Sequence, residues 1–434
     1  MSAPSDLISE FRRRLDSKAA LTVLVLLHSA VICLSLIEVA TFQSYINFDA
    51  NRLWVAAIVA IGFSVVSLLF VFARFCFGYF VGYYFYTMIL GFLWIAVFSG
   101  YSYPRWHAGL SAALALLLFL LPMLFVKAPM RQIVVLSNAR FEHLLTLILA
   151  ISVAAIAVAS AYNFRLVSIA HIYDYRDTIE FPAALRYLTG WVSSTLLPFA
   201  FACYWLLGHR WRAGLVLVLL LFFYPITLTK FALFTPVWLI VLTILSRLLT
   251  ERTSVIASIF GPMLIGLLLI WMTGANLNSL PGKYFDIVNI RMIATASSAL
   301  DIYNHFFASH PLTWFCQISV VKPMVHCPYQ QQLSVVMQET YGFGNLNASL
   351  FATEGIASVG LYLAPLTALA SSFVLALGNR ASAGLPPRFV LISAGTLPHV
   401  LLNVPLTVAL VTHGTALLFL LWYVMPRSVF AEGR

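Results

Sequence analysis

The chain has 434 residues, 62% of them hydrophobic and 9% charged, with a formal net charge of +10. That balance excludes a soluble globular domain, and repeated apolar runs of about 17–25 residues match a ~30 Å hydrocarbon core. The positive charge does not mark a nucleic-acid binder, because no basic patch interleaved with aromatics accompanies it.

In chain order, residues 5–18 place Leu7, Phe11 and Leu15 on one face beside Arg12, Arg13 and Arg14, predicting a short helix on the cytoplasmic leaflet. The first apolar run, about 20–40, is too long for a signal-peptide core, and no clear cleavage pattern follows it. Spans are predicted near 20–41, 53–73, 78–99, 108–126, 143–162, 190–207, 213–229, 231–249, 254–273, 352–377, 388–402 and 406–425, twelve in all. The eleventh is short and interrupted by Pro398 and Pro405. Period-two alternation is missing, so the class is an all-α polytopic membrane protein rather than a barrel. No repeat or composition break divides it, and residues 1–434 read as one integral membrane domain. Most Lys and Arg fall on the side of the N-terminus, which puts both termini in the cytoplasm.

With that sidedness only two external segments are long, 163–189 and 274–350, and they are expected to cover an active site. Cations that break the inside bias gather there: Arg165, Arg176 and Arg186 in the first, Lys283, Arg291 and Lys322 in the second. An anionic ligand is the simplest reason. Cys316 and Cys327 both lie in the second segment, where a bridge would close a short loop. Cys33, Cys76 and Cys203 read as small packing residues.

Residues Ile290 to His310 have helical periodicity, with Ile293, Ala296, Leu300, Tyr303 and Phe307 in one sector and Arg291, Ser298, Asp301 and His305 roughly opposite. Two readings stand: a solvated polar face, or a stripe that aims a guanidinium at a phosphate. Lys230, at a tight external turn, either snorkels from a helix end or contacts that phosphate. Asp177 and Glu180 have capping-box spacing, while Asp174 with Asp177 is a weak divalent-ion alternative. Glu354, and to a lesser degree Glu38, carry a carboxylate into an apolar span, which is costly and marks a functional candidate. His28, His399 and His413 read as buried, hydrogen-bonded helix residues. There is no phosphate-cradling loop, zinc spacing or nucleophile elbow, and no metal or other cofactor is expected.

The stretches Arg291 … Tyr303-Asn-His305-Phe-Phe … His310-Pro311, Gly342-Phe-Gly-Asn-Leu-Asn347, Ala352-Thr-Glu-Gly-Ile-Ala-Ser-Val-Gly360 and Thr229-Lys230 make the chain resemble the Wzy-type polysaccharide repeat-unit polymerases, including O-antigen polymerases, which are related to O-antigen ligases. The resemblance covers most of the chain in layout. It implies a GT-C-like bundle in the bacterial inner membrane with a long periplasmic loop between the ninth and tenth helices. The implied reaction is polymerisation of undecaprenyl-diphosphate-linked oligosaccharide units, donor and acceptor both lipid-linked, at the periplasmic face. Membrane lipids and a chain-length regulator are implied partners. On this reading Arg176, Lys230 and Arg291, with Arg186, hold the diphosphate around one pocket. Tyr303, Asn345 and Asn347 contact substrate, and Glu354 or His305 takes the acceptor proton. Ligases tend to carry a His just before the tenth span, where this chain reads Asn345-Leu-Asn347. The alternatives are ligase-type transfer to a lipid A-core acceptor and a polytopic lipid or sugar transporter.

Overall fold

The computed structural model describes residues 4–176, 179–344, 346 and 348–430, with the backbone alone for 4–9, 170, 173 and 176. Nine helices among the described residues are long and apolar enough to cross a membrane. They are α1 (Lys18–Ala40), α2 (Ala50–Phe72), α3 (Phe77–Phe98), α4 (Arg105–Phe125), α5 (Asn138–Tyr162), α6 (Arg210–Thr227), α7 (Lys230–Leu248), α8 (Glu251–Thr273) and α9 (Phe351–Ser382). Each coincides with a predicted span.

The other three expected spans take a different form. Residues 183–206 are helical throughout but contain a π segment, Val192–Leu196. The last two come out as four short pieces, Pro387–Ser393, Leu397–Asn403, Leu406–Val411 and Thr415–Val424. Gly395, Pro405 and Gly414 stand at the joins, and Pro398 near the start of the second piece. Breaks of this kind survive in an apolar setting only where other groups bond the freed backbone. Here Trp238 Nε1 donates to the Gly395 carbonyl at 2.9 Å, and Thr195 Oγ1 donates to that of His413 at 2.7 Å.

Contacts group the chain into two compact units. The first comprises Met1–Val126, Arg252–Ala376 and Leu401–Leu406; the second comprises Lys127–Glu251, Leu377–Val400 and Thr407–Arg434.

The first unit is built around α3. Every residue of α3 is buried, whereas the other eight spans are 28–44% buried. A helix apolar on all sides suits a central position. Two of its four tyrosines find partners on the helices around it: Tyr86 with Ser29 at 2.8 Å, Tyr84 with Ser258 at 3.0 Å. Gly91 of α3 lets the helix Thr295–Phe307 approach so closely that a Cβ there would lie 2.4 Å from Ser297 Oγ. Where the chain enters α1 and leaves α2, Arg252 clamps Asp16 at 2.7 and 3.1 Å and caps the Val71 and Ala73 carbonyls.

At the opposite end of this unit the connections 41–49 and 99–104 are stitched together. Asn47 N donates to Phe98 O at 2.7 Å, Gly100 N to Tyr45 O at 2.8 Å, and Ile46 forms an isolated bridge with Ser99. Segment 274–350 packs on that end. The single amphipathic helix expected over 290–310 is instead a π-helix, Asp286–Ala294, running into the α-helix Thr295–Phe307. A π-helix is wound more loosely than an α-helix, so one helical wheel cannot hold Arg291 in phase with Asp301.

Cys316 and Cys327 are bonded, with Cα atoms 5.3 Å apart across eleven positions. Just before the bridge, Trp314 and Phe315 adopt left-handed φ of 48° and 63°, a conformation that costs a bulky residue about 1–3 kcal/mol. Backbone bonds from Thr313 N to Ala357 O and from Trp314 N to Ser358 O hold the turn against the start of α9. Replacing both cysteines by Ser is expected to lower stability by about 3 kcal/mol. The change would be read as a lower thermal midpoint with faster proteolysis between residues 308 and 332.

Candidate functional site

The stitched end of the first unit gathers polar groups that no single stretch of sequence brings together. Asp301, on the helix Thr295–Phe307, is fully buried at 0% exposure. Ser99, the C-cap of α3, donates to its Oδ2 at 2.8 Å, and Tyr103 donates to its Oδ1. One turn earlier on the same helix, Ser298 accepts a hydrogen bond from Tyr45. One turn later, His305 stacks on Tyr101 with ring centres 4.8 Å apart, and its Nδ1 lies 2.6 Å from the Tyr341 hydroxyl. Phe343 closes the group against Tyr45 at 4.8 Å. Arg105, the first residue of α4, donates to the Tyr101 carbonyl at 2.7 Å from Nη2 and 3.3 Å from Nε.

The electrostatics follow from burial. Loss of water raises the Asp301 carboxyl to about 6; hydrogen bonds from Tyr103 and Ser99 and the Arg105 charge oppose the shift. The Tyr101 phenol rises to about 12, by burial first and the Asp301 charge second. Tyr341 and Tyr103 also move up, in both cases chiefly through burial. His305 shifts down through burial, helped by His310, and is neutral at physiological pH. A carboxylate poised near neutrality, with a neutral imidazole one turn away and partly exposed aromatic rings around both, can take a proton from a hydroxyl laid on those rings.

The expected site residues fall in several places. His305 belongs to the cluster. Tyr303 does not: its hydroxyl donates to the Leu346 carbonyl at 3.3 Å. Two residues along a helix from Asp301, it points to another side and supports the 344–350 connection rather than meeting a substrate. Glu354 lies in the π-helical start of α9, 7% exposed, and accepts from Thr353 Oγ1 at 2.8 Å. Its charge bears on Tyr303, which puts it on that other side of the helix. Arg291 sits on the π-helix Asp286–Ala294, exposed, with Nε 4.0 Å from Asp286. The cations expected around one diphosphate are divided between the units, Arg291 in the first and Arg176, Arg186 and Lys230 in the second. Lys230 opens α7 behind the Thr229 cap, and Arg186 is exposed on Ala183–Trp191. The Arg176 side chain and the residues Asp177, Asn345 and Asn347 lie outside the described residues. Glu38 has a bland partner, Trp271 Nε1 at 2.7 Å. His28 is buried against Thr87 at 2.9 Å, as a packed helix histidine would be.

Asp301 stands in the predicted polar stripe, but Tyr45, Ser99, Tyr101, Tyr103, Arg105 and Tyr341 escape the sequence reading. The signal that could have found them is Ser99-Gly-Tyr-Ser-Tyr-Pro-Arg105, a short connection between two spans holding two tyrosines and an arginine.

The nine apolar helices define a polytopic helical membrane protein, and the polar cluster around Asp301 is a candidate site at one end of its first unit. No family model, curated protein or solved structure matches the chain.

Proposed function

We propose that the chain is a membrane-embedded glycosyltransferase that polymerises undecaprenyl-diphosphate-linked oligosaccharide units, and that Asp301 is its general base. The observation that carries this reading is the buried carboxyl of Asp301, raised to about 6 and flanked by Ser99, Tyr103 and the Tyr101–His305 stack. The family resemblance of the sequence supplies the substrate class, and twelve crossings of the inner membrane with both termini cytoplasmic remain part of the proposal. In that orientation the stitched end of the first unit faces the periplasm, where lipid-linked units arrive.

The step balances without a further reactant. The acceptor hydroxyl, laid on the Tyr101, Tyr341 and Phe343 rings, gives its proton to the Tyr103 hydroxyl, which passes its own proton to the buried Asp301. Its oxygen forms the new bond to the donor's anomeric carbon. The bond from that carbon to the phosphate oxygen breaks, and undecaprenyl diphosphate leaves with the electron pair. Arg105, whose charge reaches Asp301, is placed to meet the charge that develops on the leaving phosphate, a role the resemblance gives to Arg291. Neutral His305 orients the acceptor through its free ring nitrogen, Nδ1 being engaged by Tyr341.

The test is reconstitution of the full chain in liposomes with a purified undecaprenyl-diphosphate-linked repeat unit. A ladder of glycan lengths is expected, with one undecaprenyl diphosphate released per new linkage. Transfer only when a lipid A-core acceptor is supplied would replace the polymerase reading with a ligase. Movement of intact lipid-linked units across the bilayer without new linkages would replace it with a transporter.

A further inference from the structure

The second unit holds a cluster that the proposed reaction leaves unused. The helical run 183–206 ends on Tyr204-Trp205-Leu206, α6 begins with Arg210-Trp211-Arg212, and the last turn of α7 supplies Arg247. The Arg210 guanidinium carbon lies 3.9 Å from the centre of the Trp205 ring, and that of Arg247 lies 4.6 Å from the same centre. Arg212 sits 5.7 Å over Tyr204. Among the described residues no carboxylate lies within ion-pair distance of these three arginines. By contrast Arg252, in the first unit, is neutralised by Asp16.

Two guanidiniums gathered on one indole repel each other, and the ring face returns only about 0.5–2 kcal/mol to each. An anion held beside them offsets that repulsion. A guanidinium stacked on a ring keeps N–H donors at its edge, in the fork that fits two phosphate oxygens. The cluster stands at the ends of two of the nine apolar helices, so it lies at headgroup depth. Trp211, 82% exposed beside it, is the side chain favoured at that depth. Three cations with no ion-pair partner among the described residues suit a lipid with net negative charge rather than a zwitterion.

We propose that Arg210, Arg212 and Arg247 bind the phosphodiester of an anionic phospholipid headgroup over Trp205. The site is independent of the glycan-transfer reading, and its test does not use that activity. Full-length protein would be extracted from nanodiscs holding equal phosphatidylglycerol and phosphatidylcholine, and retained lipids counted by native mass spectrometry. The wild type should keep phosphatidylglycerol preferentially. The double variant Arg210→Gln/Arg247→Gln should hold it about tenfold more weakly or worse, as loss of charge-assisted hydrogen bonds implies. Arg247→Lys, which keeps the charge but not the fork, should fall between them, and Arg131→Gln should match the wild type. Equal retention of the two lipids by the wild type, or undiminished phosphatidylglycerol in the double variant, overturns the proposal. So does displacement of the lipid by millimolar inorganic phosphate, which would assign the cluster to a free anion.

Discussion

Asp301→Asn is expected to lower the rate of glycan polymerisation by about 10²–10⁴-fold, the range for loss of a positioned general base. The amide has nearly the carboxyl's shape, and the Ser99 and Tyr103 hydroxyls can turn to meet it, so the pocket should persist. Substrate binding should therefore change far less than turnover. The pH dependence separates a base from a structural residue. With its carboxyl at about 6, wild-type activity should fall tenfold per pH unit below that value as Asp301 is protonated, and level off above it. In the Asn variant the residual rate should lose that limb. A wild-type profile flat from pH 5 to 8 would remove Asp301 from the proton transfer.

The same carboxyl gives an opposite signal in stability. Its folded value lies above the ordinary 3.8, so folding favours the protonated form. Stability from this group is fully present below about pH 4 and is lost as pH rises through about 6. The shift corresponds to about 3 kcal/mol of burial penalty at neutral pH. Asp301→Asn should relieve much of it and raise the thermal midpoint at pH 7 while leaving little change at pH 4. A rise in stability with a loss of turnover is what a desolvated functional carboxylate implies, and a purely structural one would not give both.

The spans were readable because a long apolar run needs no information beyond itself. The last two expected spans were not, because Gly395, Pro398, Pro405 and Gly414 permit breaks that only distant partners such as Thr195 and Trp238 make tolerable. The helix 295–307 was legible, as was the polar sector of Ser298, Asp301 and His305. Its phase with Arg291 was not, since the π-helix between them breaks the period that a wheel assumes. Nor can one helix say what covers its polar side. Asp301 is buried by tyrosines and a serine from connections about two hundred residues earlier, and Tyr45 stands 253 positions from its partner Ser298. A cluster assembled at that separation leaves no local pattern, whereas Glu354 stands out in the sequence as a carboxylate inside an apolar run.

Gly91→Ala should damage that pocket from a distance. The new methyl would lie 2.4 Å from Ser297 Oγ and 3.1 Å from its Cβ, while that hydroxyl already donates to the Met88 carbonyl at 2.9 Å. Something must give, and the two helices are expected to move apart at this point. Overpacking of this kind costs about 1–3 kcal/mol. Asp301 is one turn beyond Ser297, and its partner Ser99 caps α3, so separating the two helices pulls the carboxyl from its donor. A displacement of about 1 Å in a reacting group can cost about 10²-fold in rate, and a loss of that order is expected here. Ser297→Ala removes the offending oxygen and leaves the 3.1 Å contact, which small adjustments can absorb. The double variant Gly91→Ala/Ser297→Ala should therefore recover most of the stability and turnover lost by Gly91→Ala alone. Strictly additive losses in that cycle would mean that the two helices do not press on each other at this point, and that Asp301 is seated by some other contact.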